Sequence, residues 1–108
     1  MTGPERVAAY VDRFNAAVVS GDWDRFTAGL TEEAEMVFAD RPVGPFRGRA
    51  EIAAAYRAQP PDDTLLIHGI DSAGAVDTVA AAWSAGGRLT LVLSWRAEQV
   101  QRVEITFG

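Results

Sequence analysis

The sequence contains no cysteine, which removes disulfides, a thiol nucleophile and thiolate metal ligands together. His68 is the single histidine among 108 residues, too few for a histidine-based zinc or iron site. No apolar run approaches the roughly 18 residues that a membrane helix requires. The basic-then-apolar pattern of a secretory signal is also missing, so the cytoplasm is the expected location. Basic residues are few and scattered: 10 Lys+Arg against 15 Asp+Glu give a net charge of −5, the wrong sign for binding phosphate backbones. Gly44, Gly48 and the Gly86-Gly87 pair fit neither dinucleotide nor phosphate-loop spacing. The expectation is a protein with no metal, no cofactor, and no nucleic-acid or membrane partner.

What is present suits a folded chain. Hydrophobic residues make up 48% and charged residues 23%, and a length of 108 residues reads as one domain over 1–108. Thr2, Pro4 and Glu5 form a helix start, with Glu5 placed for a capping box. Val7, Val11, Phe14 and Val18 then mark one helical face, widened by Tyr10 and Ala17, and Gly21 ends the helix. Asp22 caps a second, short helix in which Trp23, Phe26 and Leu30 share a face. Thr31-Glu32-Glu33 reads as a polar connector into a strand over 34–39. A turn follows from Pro42 to Gly48, then a third helix over 49–58, stopped by Pro60-Pro61.

After Thr64 every segment reads as a strand. Leu65 to Ile70 is apolar on both faces, as in a strand covered on each side. Val79, Ala81 and Trp83 share a face of the next strand, and Gly86-Gly87 makes a hairpin. Leu89, Leu91, Leu93 and Trp95 give the cleanest period-two pattern, and Val103, Ile105 and Phe107 give another. This order predicts an α+β fold: a cone-shaped, curved antiparallel sheet with the three helices on its concave face. Large apolar side chains would line the interior, the usual place for a small-molecule site.

Several motifs then match a known family. Gly21-Asp22-Trp23-Asp24, Leu30-Thr31-Glu32-Glu33-Ala34, Pro42-Val43-Gly44-Pro45-Phe46-Arg47-Gly48-Arg49, Ile52 and Tyr56 resemble the nuclear transport factor 2-like superfamily. Within it, the chain is similar to the ketosteroid isomerase and SnoaL-like polyketide cyclase branch. The resemblance implies a homodimer and a cofactor-independent isomerase, cyclase or dehydratase acting by proton transfer on an apolar or polycyclic carbonyl compound. Phe38 falls at the position of the isomerases' base, with Asp40 two residues on; Tyr56 matches a supporting tyrosine, and Trp83 and Phe107 match pocket aromatics. Phe14 stands where those enzymes carry a donor tyrosine, and no acid occurs at Thr90–Val92 where they carry a second donor. Each missing donor removes about 10²–10³ in rate from dienolate chemistry. An epoxide-hydrolase arrangement is poorly served too, since Arg96 and Glu104 face outward by strand parity.

Three residues emerge as candidates for chemistry. Asp40, ahead of Pro42, is either a base with a pKa raised by an apolar cavity or a turn-capping aspartate. His68 is either an assisting acid or base or a histidine held by one hydrogen bond. Tyr56 would assist from the third helix. Tyr10, Phe14, Phe26, Phe38 and Phe46 are expected to line the ligand pocket, together with Trp83, Trp95 and Phe107. Arg47 and Arg49 either attract an acidic group or are solvated. On the outer sheet face, Thr78, Ala80, Ala82, Thr90, Val92 and Ser94 offer a dimer surface. The alternative to catalysis is a non-catalytic ligand-binding or dimerisation module on the same fold.

Overall fold

The computed structural model describes residues Met1–Gly108, and its first element is the helix that the capping residues announce. Helix α1 (Gly3–Ser20) starts at a capping box: the Thr2 hydroxyl accepts the Glu5 N–H at 3.2 Å, and the Glu5 carboxylate accepts the Thr2 N–H at 3.1 Å. Gly21 ends it at φ 77°, a left-handed conformation that glycine adopts without a Cβ clash. Val7, Tyr10, Val11, Phe14 and Ala17 are its buried stripe.

Helix α2 (Trp23–Thr27) is capped by Asp22, whose carboxylate accepts the Arg25 N–H. It stops three residues short of Leu30, which instead opens strand β1 (Leu30–Phe38). Thr31-Glu32-Glu33 therefore lies within a strand and is not a connector. The β1–β6 register shifts between Leu30 and Glu35, so this polar run sits at an irregularity where strict alternation is relaxed. Inside the expected turn, Phe46–Arg47 forms a two-residue strand, β2, and helix α3 (Arg49–Ala58) follows as predicted.

The last four strands are β3 (Leu65–Ala73), β4 (Val76–Trp83), β5 (Arg88–Arg96) and β6 (Gln99–Phe107). They form an antiparallel meander, and β1 joins β6 in parallel, giving one curved, unclosed sheet in the order β2-β1-β6-β5-β4-β3. Strand β3 lies at the edge, with only one face covered: Leu65 is buried but Leu66 is 53% exposed. The expectation of two covered faces fails because the helices cover one side of the sheet only.

One apolar cluster joins helices and sheet. It takes Phe14 and Tyr10 from α1, Trp23 and Phe26 from α2, Ile52 and Tyr56 from α3, and the alternating inward residues of β4, β5 and β6. On the other face, Thr78, Ala80 and Thr90 are exposed, as the period-two pattern predicts. No helix is long and apolar enough to cross a membrane.

Candidate functional site

Packing stops short of filling the space between the helices and the β3–β6 end of the sheet. A cavity of about 240 Å³ remains there. Its deep walls are Tyr10 and Phe14 of α1, Tyr56 of α3, Leu65 of β3, Leu89 and Leu91 of β5 and Ile105 of β6. The half-buried rings of Phe38, Trp83 and Phe107, with Pro61 and the exposed Gln59, form the mouth. Sheet register explains this convergence, since Leu89 pairs with Phe107 and Leu91 with Ile105. Five of the predicted lining residues, Tyr10, Phe14, Phe38, Trp83 and Phe107, meet here, along with Tyr56.

Polar groups in the cavity are few, and Tyr10 and Tyr56 are the deepest. No hydrogen bond to the protein engages either hydroxyl, and both residues line the cavity. Burial raises the Tyr56 phenol far above its ordinary value, and burial first, then the neighbouring Tyr56, raises that of Tyr10. Both therefore stay protonated donors at neutral pH, and neither is available as a phenolate base. Tyr56 is held by its neighbours: its ring stacks on Trp23 at 4.4 Å and 10°, with Phe26 and Phe14 edge-on at 5.7 and 6.1 Å.

Three of the predicted lining residues lie elsewhere. Phe26 belongs to a second layer, edge-on to Tyr10, Phe14 and Trp23, because the short α2 turns its ring between the helices. Phe46 opens on a separate crevice of about 90 Å³ beyond Phe38. Trp95 shares the inward face of β5, but it lies four residues past Leu91, about 13 Å along the strand. Its indole N–H donates to Asp77 at 2.9 Å instead.

Asp40 and His68 also lie outside the cavity lining. Both Asp40 oxygens accept the Phe107 N–H, at 3.2 and 3.1 Å, so the carboxylate caps the end of β6 behind a ring of the mouth. His68 is the extra residue of a bulge between Ile67 and Gly69, where pairing passes from Ala81 to Ala80. The bulge leaves His68 exposed on the outer side, near Ala80, Arg88 and Thr90, away from Tyr56. Simple alternation from Leu66 does place it with Leu66, but both face solvent. No three His, Asp or Glu side chains converge as a metal-ligand set.

Gln59, Pro61, Leu65, Leu89, Leu91 and Ile105 are lining residues that sequence reasoning missed. The leucines and Ile105 were legible as inward-facing, but only register shows that they reach the cavity. A second omission is Asp77, which is wholly buried and fixes α1 to the sheet. Arg6 donates to it through Nε at 2.7 Å and through a terminal nitrogen at 3.1 Å, and also to the Gly74 carbonyl at 3.0 Å. Hydrogen bonding from Arg6 holds its carboxyl below the usual range against the opposing effect of burial. Asp77 shares strand parity with Val79, Ala81 and Trp83, a signal available in the sequence.

A SnoaL-like domain model matches residues 7–107. No curated protein matches the sequence. Among solved structures, a SnoaL-like protein of unknown function from Burkholderia thailandensis is 15% identical with a TM-score of 0.76, over 96% of this chain and 95% of that one. A nuclear transport factor 2-like protein of unknown function from Burkholderia xenovorans is 15% identical with a TM-score of 0.75, over 98% and 85%. A Catenulispora acidiphila protein with a ketosteroid isomerase-like fold, solved in complex with trimethylamine, is 18% identical with a TM-score of 0.75, over 96% and 85%. At these identities the structures establish a shared fold, while the domain match spans nearly the whole chain. The protein belongs to the SnoaL-like domain family, in the nuclear transport factor 2-like superfamily.

Proposed function

We propose that the protein binds a small, largely apolar molecule carrying an oxygen function, which Tyr10 and Tyr56 engage as hydrogen-bond donors. The observation that carries this reading is a pair of buried tyrosines, their hydroxyls without protein partners, lining a cavity whose other deep walls are apolar. Buried donors favour an acceptor strongly, because an unmet donor costs about 1–3 kcal/mol. A cavity of roughly 150 Å³ holds benzene. At about 240 Å³ this one accommodates a two-ring body, and a larger polycycle would extend through the mouth.

The fold supports isomerase or cyclase chemistry. In such a reaction the two tyrosines would polarise a carbonyl and stabilise the charge that develops on its oxygen. A second reading gives Asp40 the role of base, because it is bonded to the backbone of Phe107 at the cavity rim. Homodimerisation through the outer sheet face is part of the same proposal, since that face lies opposite the helices and leaves the mouth free.

Titration calorimetry with naphthalene and 2-naphthol tests the binding reading. The naphthol should bind about two- to ten-fold tighter, the value of one or two neutral hydrogen bonds. Tyr10→Phe or Tyr56→Phe should erase that advantage and leave naphthalene unchanged. Failure of both probes to bind would overturn the reading. For the catalytic variant, enolisation of 2-tetralone by wild type and Asp40→Asn is the measure, and equal rates would remove Asp40 from the mechanism.

A further inference from the structure

The cavity has no charged residue in its lining, yet a lone arginine stands at its mouth. The Arg41 guanidinium lies 5.0 Å from the centre of the Phe107 ring, and Phe38 stacks on the same ring at 5.9 Å and 11°. Both rings line the mouth. Most other arginines have firm partners. Arg6 holds Asp77, Arg47 and Arg102 share Glu35, Arg57 pairs with Asp24, and Arg49 donates to the Leu30 carbonyl. Arg13, Arg25, Arg88 and Arg96 form no ion pair, but Arg41 is the arginine that lies over a ring of the mouth. Arg41 has only a 3.4 Å contact to the Asp40 carbonyl and a loose 3.9 Å approach to its carboxylate, whose two oxygens already take the Phe107 N–H. Of the five donors of a guanidinium, most remain open, and the side chain is 52% exposed.

From this arrangement we infer that the ligand carries a carboxylate, which Arg41 pairs at the mouth while the apolar body fills the cavity. The inference rests on the binding reading above and names the class of molecule. A carboxylate cannot go to the floor, because Tyr10 and Tyr56 supply donors but no positive charge, and an uncompensated buried anion is very costly. At the mouth it meets a planar, weakly hydrated cation suited to two parallel hydrogen bonds. The chain's net charge of −5 does not oppose this at close range, since charges beyond about 8–10 Å are screened at physiological salt. An aromatic or alicyclic acid with an oxygen function at its far end satisfies both ends of the site.

Three probes of one shape test the assignment by calorimetry: 2-naphthoate, neutral 2-naphthamide and cationic 2-naphthylmethylammonium. The naphthoate should bind about three- to ten-fold tighter than the amide, the range for an ion pair at a partly exposed site with good geometry. Arg41→Met should reduce naphthoate to the affinity of the amide and leave the amide unchanged, which also shows the cavity intact. Arg41→Lys should retain part of the preference, since it keeps the charge without the planar fork. Amide binding equal to or tighter than naphthoate, tightest binding of the ammonium, or a naphthoate preference that survives Arg41→Met would each overturn the assignment while the cavity reading stands. Absence of binding by all three would overturn both.

Discussion

Asp77→Ala should be among the most damaging single substitutions in this protein, although the residue lies far from the cavity. Its carboxylate is wholly buried and accepts two hydrogen bonds from Arg6 and one from Trp95, linking α1 to β4 and β5. Truncation leaves the Arg6 side chain, only 17% exposed, without its counter-charge and leaves the Trp95 indole N–H unpaired. Breaking a buried pair from one side costs about 3–5 kcal/mol. The lower figure applies here, because Arg6 retains the Gly74 carbonyl and some contact with water. Against a total stability of about 5–15 kcal/mol, a loss of about 3 kcal/mol lowers Tm by about 12–24 °C for a chain of this size. Urea and thermal denaturation followed by circular dichroism measure both quantities.

The pH dependence gives an independent check on the same pair. Hydrogen bonding from Arg6 lowers the folded-state pKa of Asp77 below its unfolded value. Its stabilising contribution is therefore complete above the unfolded pKa of about 3.9 and is lost as pH falls below that, through the folded value. The stability difference between wild type and Asp77→Asn should be constant near neutral pH and shrink in acid below about pH 4. A deficit under about 1 kcal/mol for Asp77→Ala, or one that grows in acid, would refute the account of a buried, charge-assisted clasp.

Two further substitutions probe the scaffold. Trp23→Ala removes a buried indole stacked on Tyr56 and should cost about 3–5 kcal/mol in urea denaturation, with weaker 2-naphthol binding through the loosened Tyr56. Gly3→Ala drives a Cβ into the Ser72 side chain and to 3.1 Å from an Asp77 oxygen; about 1–3 kcal/mol of overpacking should appear as a lower Tm.

Particular residues show how far the sequence could be read. Thr2 and Glu5 announced the start of α1, Gly21 its end, and Asp22 the next helix, because caps act within a few residues of chain. The alternation of Leu89 to Trp95 announced a half-covered strand for the same local reason. His68 shares the face of Leu66 as alternation indicates, but that face is open to solvent at an edge strand, and the bulge, which nothing local in Ile67-His68-Gly69 forces, turns Ile70 to the opposite side. Asp40 looked like a base from its position after an aromatic strand, whereas its actual partner, the Phe107 N–H, lies 67 residues away.

The sequence by itself determined the helix starts, the inward sets of β4, β5 and β6, and the family, since these follow from caps, periodicity and motifs a few residues long. Tertiary structure alone decided that Leu89 meets Phe107 across the sheet, that Trp95 turns to Asp77, and that space remains between Tyr10, Tyr56 and the rings of the mouth. A cavity is a shortfall in packing among side chains from seven separate elements. Its existence depends on sheet curvature and on the register of distant strands, quantities that no single stretch of chain encodes.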